Sequence, residues 1–439
     1  MIKNKKILIL GMARSGYEAA KLLSKYGNKI TVTDMKNQDE EKLEELKKLN
    51  VKFIKSDDPS NLLDDVDLLI KNPGIRKDHK TVVIAKQKNI EVINEVEAAY
   101  RFLPSDITIV GITGSNGKTT TTTMIYDTIK KQTNKVHLAG NIGYPLSSIV
   151  LDVKSGDILI MEISDHQLLD MYKFKTNISV LTNLSEVHLD FHGDYESYKS
   201  IKKRIFNNHT ISDIAIINQD NIDCKNITND IKSMKKYFST YNKTNSYLKD
   251  NYIYLNDKKI ISLQDILIKG NHNYENIMCA LLVLDELNID ITYLIDYLKS
   301  FKGVEHRIEF VCSKDNVLYY NDSKSTNVVS TITALKSFET DTLLILGGLD
   351  RGHSFDDLLP YMSNVKIVFA YGEVNKRIYD WCLKNNIKCI KNNTLKETIS
   401  NIKENIKSGD VVLLSPACAS WDQYESFEDR GNEFKELIK

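Results

Sequence analysis

The 439-residue sequence predicts an α/β chain built as three consecutive α/β domains. Three observations carry that prediction. Short apolar runs alternate with helix-spaced segments from the start of the chain, which is the rhythm of a parallel sheet. Most of these runs end in a glycine or a polar cluster. The rhythm also breaks twice, at YRFLPSDITIV, where Pro104 precedes a new strand, and at SFKGVEHRIEFV near Val304. The expected domains are therefore 1–104, 105–304 and 305–439, and at ~100–200 residues per domain the length accommodates them.

In the first domain KILIL is a strand ending at Gly11, and SGYEAAKLLSKYG a helix ending at Gly27. KITVTD is a second strand with Asp34 at its end, and VDLLIKNPG runs into a Pro-Gly turn. The second domain opens with DITIVGI, a glycine loop and a helix from about Gly117. GDILIMEI, NISVLTN and DIAIINQD are further buried strands. Residues 232–265 turn Tyr/Asn-rich and alternating, which predicts a small antiparallel meander, and GNHNYENIMCALLVLDEL is a helix. The third domain reads NVLYYNDSK, TLLILGG, KIVFAYGE and DVVLLSPA as strands. No repeat of ~20–50 residues is visible.

Composition excludes several classes. Lys+Arg and Asp+Glu both number 59, and no long basic block occurs, so a nucleic-acid protein driven by bulk charge is not expected. The apolar run in MIKNKKILIL is a strand rather than a signal peptide. No run approaches the ~20 residues of a membrane span. Six scattered cysteines without a CxxC pair fit a reduced, cytoplasmic protein without structural zinc.

The chemistry begins at GITGSNGKTT, Gly111 to Thr120. A Walker A loop wants Gly, four free residues, then Gly-Lys-Ser/Thr. Here Gly117 and Lys118 fit, but Ile112 stands where the first glycine belongs. The context is still that of a phosphate loop, because backbone N–H groups at a strand-to-helix turn face an anion. Gly114 and Gly117 admit close approach, Lys118 supplies a cation, and the Thr119 hydroxyl suits Mg2+. Glu162 closes a buried strand, the usual place for a second metal-ordering carboxylate. His188, Asp190 and His192 share the loop after the next strand, where ligands bind in open α/β sheets. The following helix carries Lys199, Lys202, Lys203 and Arg204, and spacing alone selects none of them. In the first domain GMARSG keeps Gly11 and Gly16 but is not GxGxxG, so it is a weak dinucleotide fingerprint.

TGSNGKT, GNIG, EISDHQL, HLDFHG, GNHNYENIMCA, His306–Arg307 and NDSKSTN occur in this order. Together they resemble the Mur ligases, ATP-dependent amide-bond ligases of peptidoglycan precursor synthesis, whose loop has the form TGxxGKT. LLSPACASWDQYESFEDRGNEF and ILGGLDRG point to the D-glutamate-adding branch. The resemblance covers essentially the whole chain. It implies a Rossmann-like UDP-binding domain, a central P-loop ATPase and a Rossmann-like C-terminal domain for the amino acid and part of ATP.

The resemblance also implies roles. ATP phosphorylates the carboxylate of UDP-N-acetylmuramoyl-L-alanine, and the amine of D-glutamate displaces phosphate. Gly114, Ser115, Asn116, Gly117, Lys118, Thr119 and Thr120 hold the phosphates. Thr119 and Glu162 hold one Mg2+, and His188 a second, supported by a carbamylated Lys202. Asn273, Asn276, Arg307 and Asp322 serve ATP, and Lys324 faces the reacting groups. Arg14, Ser15, Asp34 and Gly74 surround uracil and diphosphate, with Met35 where some members have Thr. Asn141, Ser164 and Gln167 belong to the substrate site, and Thr326, Arg351, Ser420 and Phe427 to the D-glutamate pocket. Val187 stands where some members have Asp. A cytoplasmic monomer that closes its third domain over ATP is expected, with no nucleic-acid or membrane partner.

Rival readings are a sibling ligase with another amino acid, a folate polyglutamylating relative, an NAD-dependent dehydrogenase and a regulatory NTPase. HHPTE and DNPR, tied to siblings, are absent. The folate enzyme leaves SPACAS unexplained, and the dehydrogenase leaves the central loop unexplained.

Overall fold

The computed structural model describes residues 1–187, 189–338 and 340–439. His188 therefore lies outside the described residues. The chain forms three mixed α/β layers, each around its own sheet. The first sheet is all parallel, in the order Lys52–Lys55, Lys29–Asp34, Lys6–Leu10, Leu68–Lys71, Glu91–Ile93. Lys6–Leu10 and Leu68–Lys71 at its centre are buried on both faces and so read as near-continuous apolar runs.

The second sheet has nine strands. Parallel strands Met234–Ser239, Ile214–Asn218, Ile178–Leu181, Thr108–Thr113, Ile158–Glu162 and Val136–Gly140 lie side by side. The expected meander is narrower than residues 232–265. Ser246–Lys249, Tyr252–Leu255 and Lys258–Ser262 run antiparallel, whereas Met234–Ser239 joins the parallel body. Stacked Tyr247 and Tyr254, 5.0 Å between centroids, hold that register as a cross-strand pair. The third sheet orders Glu309–Lys314, Val317–Asn321, Val411–Ala417, Thr342–Gly347, Val365–Tyr371 and Cys389–Lys391, with only the first pairing antiparallel.

Contacts divide the chain into two units: residues 1–265 with 271–297, and residues 266–270 with 298–439. The first two sheets share the former unit. Leu22, Val96 and Ala99 of the N-terminal segment sit in one apolar core with Leu146, Val150 and Leu168 of the central segment. A polar seam accompanies that core. Lys71 Nζ lies 2.7 Å from Asp170, both buried, and the Glu97 carboxylate accepts from the backbone N–H groups of Tyr172, Lys173 and Phe174. Each buried charge here is matched by an opposite charge or by donors, as burial requires.

Candidate active site

The strand Thr108–Thr113 delivers the chain into the loop 114–117, and the helix Lys118–Lys130 leaves it. Both glycines hold positions that no side chain fits. Gly114 has φ +144°, and a Cβ there would lie 2.0 Å from Thr182 Oγ1. Gly117 has φ +82°, and its Cβ would lie 2.2 Å from Asn276 Oδ1. The loop is braced from outside: Ser115 N–H donates to Asn183 O at 2.8 Å, and Asn116 N–H to Asn183 Oδ1 at 2.9 Å. Lys118 curls over the loop, with Nζ 2.9 Å from Gly114 O and 2.8 Å from Ser115 O. Thr120 follows in the first turn of the helix.

Thr119 and Glu162 meet. The buried hydroxyl donates to Glu162 Oε2 at 2.7 Å, and Asn141 Nδ2 donates to Oε1 at 2.6 Å. A hydroxyl and a carboxylate side by side beside a phosphate loop are hard oxygen donors of the kind Mg2+ takes. Asn276 reaches Thr121 Oγ1 at 3.3 Å from the second turn of the helix Asn271–Glu286, so it is not a helix cap. Asn273 lies one turn earlier, half-buried.

Lys202 is drawn inward by its helix. Asp194 caps Tyr195–Lys203 through the Ser197 N–H at 2.7 Å, and Tyr198, Ile201 and Lys202 then share the buried face. Lys202 Nζ donates to Thr113 Oγ1 at 3.1 Å and Gly114 O at 3.0 Å, and lies 3.4 Å from Asp165 Oδ1. Burial, and then the Lys118 charge nearby, pull its amine down to about 7. Asp165 also bonds His192 Nε2 at 2.6 Å, and His166 Nδ1 lies 3.1 Å away. Tyr198 OH reaches Ser115 Oγ at 2.8 Å, tying this helix to the loop.

Ser164 and Gln167 hydrogen-bond to each other. They form a capping box on the helix Asp165–Leu168, with Gln167 Oε1 accepting from Ser164 N–H at 2.9 Å. At the edge of the first sheet, Asp34 Oδ2 accepts from Met12 N–H at 2.8 Å. Asn72 joins Ser15 Oγ (3.3 Å) to Gly74 N–H (3.1 Å), so the turns after three strands are laced together. Arg14 is exposed, its guanidinium 5.6 Å from the Tyr144 ring centroid.

In the C-terminal unit the strands Val317–Asn321, Thr342–Gly347 and Val411–Ala417 release their loops at one edge. Asp322 is buried, accepting from Ile308 N–H at 3.2 Å and Ser415 Oγ at 2.7 Å, and burial raises it to about 6. Arg307 stands one residue before Ile308, and its charge acts on Asp322. Lys324 Nζ lies 5.7 Å from the Phe427 ring centroid, and Thr326 follows in the same loop. Arg351 covers the exposed Trp421 ring at 4.9 Å. Ser420 is buried beside it in sequence.

Beneath these loops lies Arg430, fully buried, which sequence reading did not single out. It donates to Ser323 Oγ (2.9 Å), Ser323 O (2.7 Å) and Cys418 O (3.1 Å). It also abuts Gly348, where a Cβ would lie 3.2 Å from its Nη1. The segments 322–326, 347–351 and 417–420 thus rest on one guanidinium. The FEDRGNEF block held the only sequence signal, an arginine one turn into an amphipathic helix, and that pattern is as common on solvated faces.

Residues 112–284 match the Mur ligase middle domain, residues 5–94 the Mur ligase MurD-like N-terminal domain, and residues 306–418 the Mur ligase glutamate ligase domain. UDP-N-acetylmuramoylalanine–D-glutamate ligases from Staphylococcus aureus strains MW2 and JH9 are 38% identical over 440 residues, spanning 100% of this chain and 97% of each relative. The chain belongs to the Mur ligase family. Solved Mur ligases share its fold at lower identity. UDP-N-acetylmuramate-alanine ligase of Thermotoga maritima superposes with a TM-score of 0.60 at 18% identity, covering 99% of both chains. The MurF ligase of Thermotoga maritima in complex with ADP gives 0.60 at 20% identity, again covering 99% of both. As a Mur ligase the protein is ATP-dependent.

Proposed function

We propose that this Mur ligase adds D-glutamate to UDP-N-acetylmuramoyl-L-alanine, forming ADP and phosphate, in cytoplasmic assembly of peptidoglycan precursors. The observation that carries the reading is the end-to-end relation to D-glutamate ligases. The chemistry of the site supports it. A carboxylate is inert towards amines because it would have to expel oxide. Attack of a carboxylate oxygen on the γ-phosphorus forms a C–O–P bond and breaks the bond to ADP. The amine of D-glutamate then attacks the acyl carbon, phosphate leaves with the bonding pair, and the amine proton is lost to give the amide. Both steps bring anions together, and the surroundings must offset that charge.

We assign Lys118 and the N–H groups of residues 114–120 to the phosphates. Thr119 and Glu162 fit one Mg2+, and a second would fall to His188 and Lys202; bound there, the ions would screen phosphate charge. Lys202 suits carbamylation: a buried amine pulled to about 7 has a substantial neutral fraction near neutral pH and can add to CO2 with loss of a proton. The product would place an anionic oxygen donor beside the loop. We assign Asn141 to the acyl side near Glu162. Arg14, Ser15, Asp34 and Gly74 go to the UDP moiety, and Asn273, Asn276, Arg307 and Asp322 to ATP. Lys324, Thr326, Arg351, Ser420 and Phe427 take D-glutamate, whose two carboxylates call for a cationic pocket. Ser164 and Gln167 act through the turn they cap.

The test is a phosphate-release matrix with 18O in the terminal carboxylate of the UDP substrate. Release that needs both the UDP substrate and D-glutamate, with 18O in the phosphate, is expected. Release with neither, or unlabelled phosphate, overturns the reading. Preference for another amino acid moves the protein to a sibling ligase.

A further inference from the structure

We propose that Asp165, His166 and His192 form a binding site for a borderline first-row divalent cation of the Zn2+ or Co2+ kind, separate from the Mg2+ group at Thr119 and Glu162. Among the described residues these three side chains are the one His/Cys/Asp/Glu group whose ligand atoms all fall within 4.8 Å of one another. They come from two places in the fold. Asp165 and His166 open the short helix after the strand Ile158–Glu162, and His192 ends the short helix Leu189–His192 after the strand Ile178–Leu181.

The geometry is that of a ligand set. His192 Nε2 and His166 Nδ1 lie 2.6 and 3.1 Å from the same oxygen, Asp165 Oδ2. Metal–nitrogen and metal–oxygen bonds of ~2.0–2.2 Å need donor atoms roughly 3.3–3.5 Å apart in a tetrahedron. The three donor atoms lie within 4.8 Å of one another, so small side-chain shifts bring them to that spacing. The other oxygen of Asp165 faces the Lys202 amine at 3.4 Å, an outer contact of the sort that orients a ligating carboxylate. Asp165 and His192 are buried, and the Phe191 ring packs on His166 at 4.1 Å between centroids. That places an apolar wall beside the donors.

Donor chemistry decides the class of ion. Two imidazole nitrogens and one carboxylate suit Zn2+, Co2+, Ni2+ or Fe2+, whereas Mg2+ takes oxygen donors and keeps its waters. The site shares no ligand with Thr119 and Glu162. An ion there would clamp the segment 164–168 to the segment 189–192, beside the helix that carries Lys202.

The experiment uses the full-length protein, stripped with chelator and titrated with Co2+ in excess Mg2+, reading visible d–d absorption and the melting temperature. Absorption saturating at one equivalent and a raised melting temperature are expected in the unmodified protein. In His166→Ala, a half-exposed position, Co2+ affinity should fall at least ~10-fold. In Glu162→Gln both signals should persist. No absorption in the unmodified protein would make the group a hydrogen-bonded carboxylate cluster only, and would overturn the proposal. So would absorption that survives unchanged in both His166→Ala and His192→Asn, or that is lost in Glu162→Gln.

Discussion

Lys202 Nζ lies 3.0 Å from the carbonyl oxygen of Gly114, so a buried amine is hydrogen-bonded to the first residue of the phosphate loop. A permanent cation would be costly there, and the group accordingly gives up its proton near neutrality. The first prediction follows from that neutrality. Lys202→Ala should lose at least ~10²-fold in kcat, the scale of a lost charge-stabilising group. Formate or acetate should restore part of the rate by occupying the space of a carbamate. Steady-state phosphate release with and without added carboxylate checks this; full activity without carboxylate rules out the carbamate.

The second prediction concerns the loop itself. Gly117→Ala places a methyl 2.2 Å from Asn276 Oδ1 in a left-handed conformation. The backbone alone costs about 1–2 kcal/mol, and Asn276 must also move off Thr121. Urea unfolding should show that loss, and ATP affinity by calorimetry should drop with it. An Ala variant as stable and as tight as the parent would refute the fit described for the loop.

Much of this was legible in the sequence, and the exceptions have physical causes. Continuous apolar runs such as VVLLSPA are buried throughout because both faces of a parallel strand are covered. Glycine-lysine-threonine after such a strand marks the strand-to-helix turn at residues 114–117. What the chain order hides is which polar groups satisfy each other. The letters of EISDHQL do not show that Ser164 and Gln167 close a capping box. Asp165 between them looks incidental, yet it gathers His166, His192 and Lys202. Arg430 resembles any helix-surface arginine until burial is known. The expected meander is too wide because MKKYFS, half-buried over Lys235–Tyr237, fits an antiparallel edge and a parallel strand equally well.

The third prediction separates two arginines of the C-terminal unit. Arg351 is exposed over Trp421, so Arg351→Ala should leave stability within about 0.5 kcal/mol while raising KM for D-glutamate more than for ATP. Arg430 is buried, and among the described residues no carboxylate pairs with it. Arg430→Ala strands the carbonyls of Ser323 and Cys418 and should cost on the order of 3 kcal/mol. Thermal melts and substrate-resolved kinetics check both; an Arg351→Ala defect confined to ATP would remove Arg351 from the amino-acid pocket.

The fourth prediction is a pH dependence. Asp322 is fully buried, and its carboxyl is raised to about 6 against the ordinary 3.8. Between those values the folded chain binds the proton and the unfolded chain releases it. Stability from this group is therefore fully present below about pH 4 and is lost as pH rises through 6. Asp322→Asn cannot titrate and should flatten that fall. Urea unfolding at several pH values from 4 to 7 should then show the parent losing stability relative to the variant across this window. Parallel pH profiles for the two would mean that Asp322 is ionised throughout, held by Ile308 N–H, Ser415 and the Arg307 charge more strongly than burial opposes it.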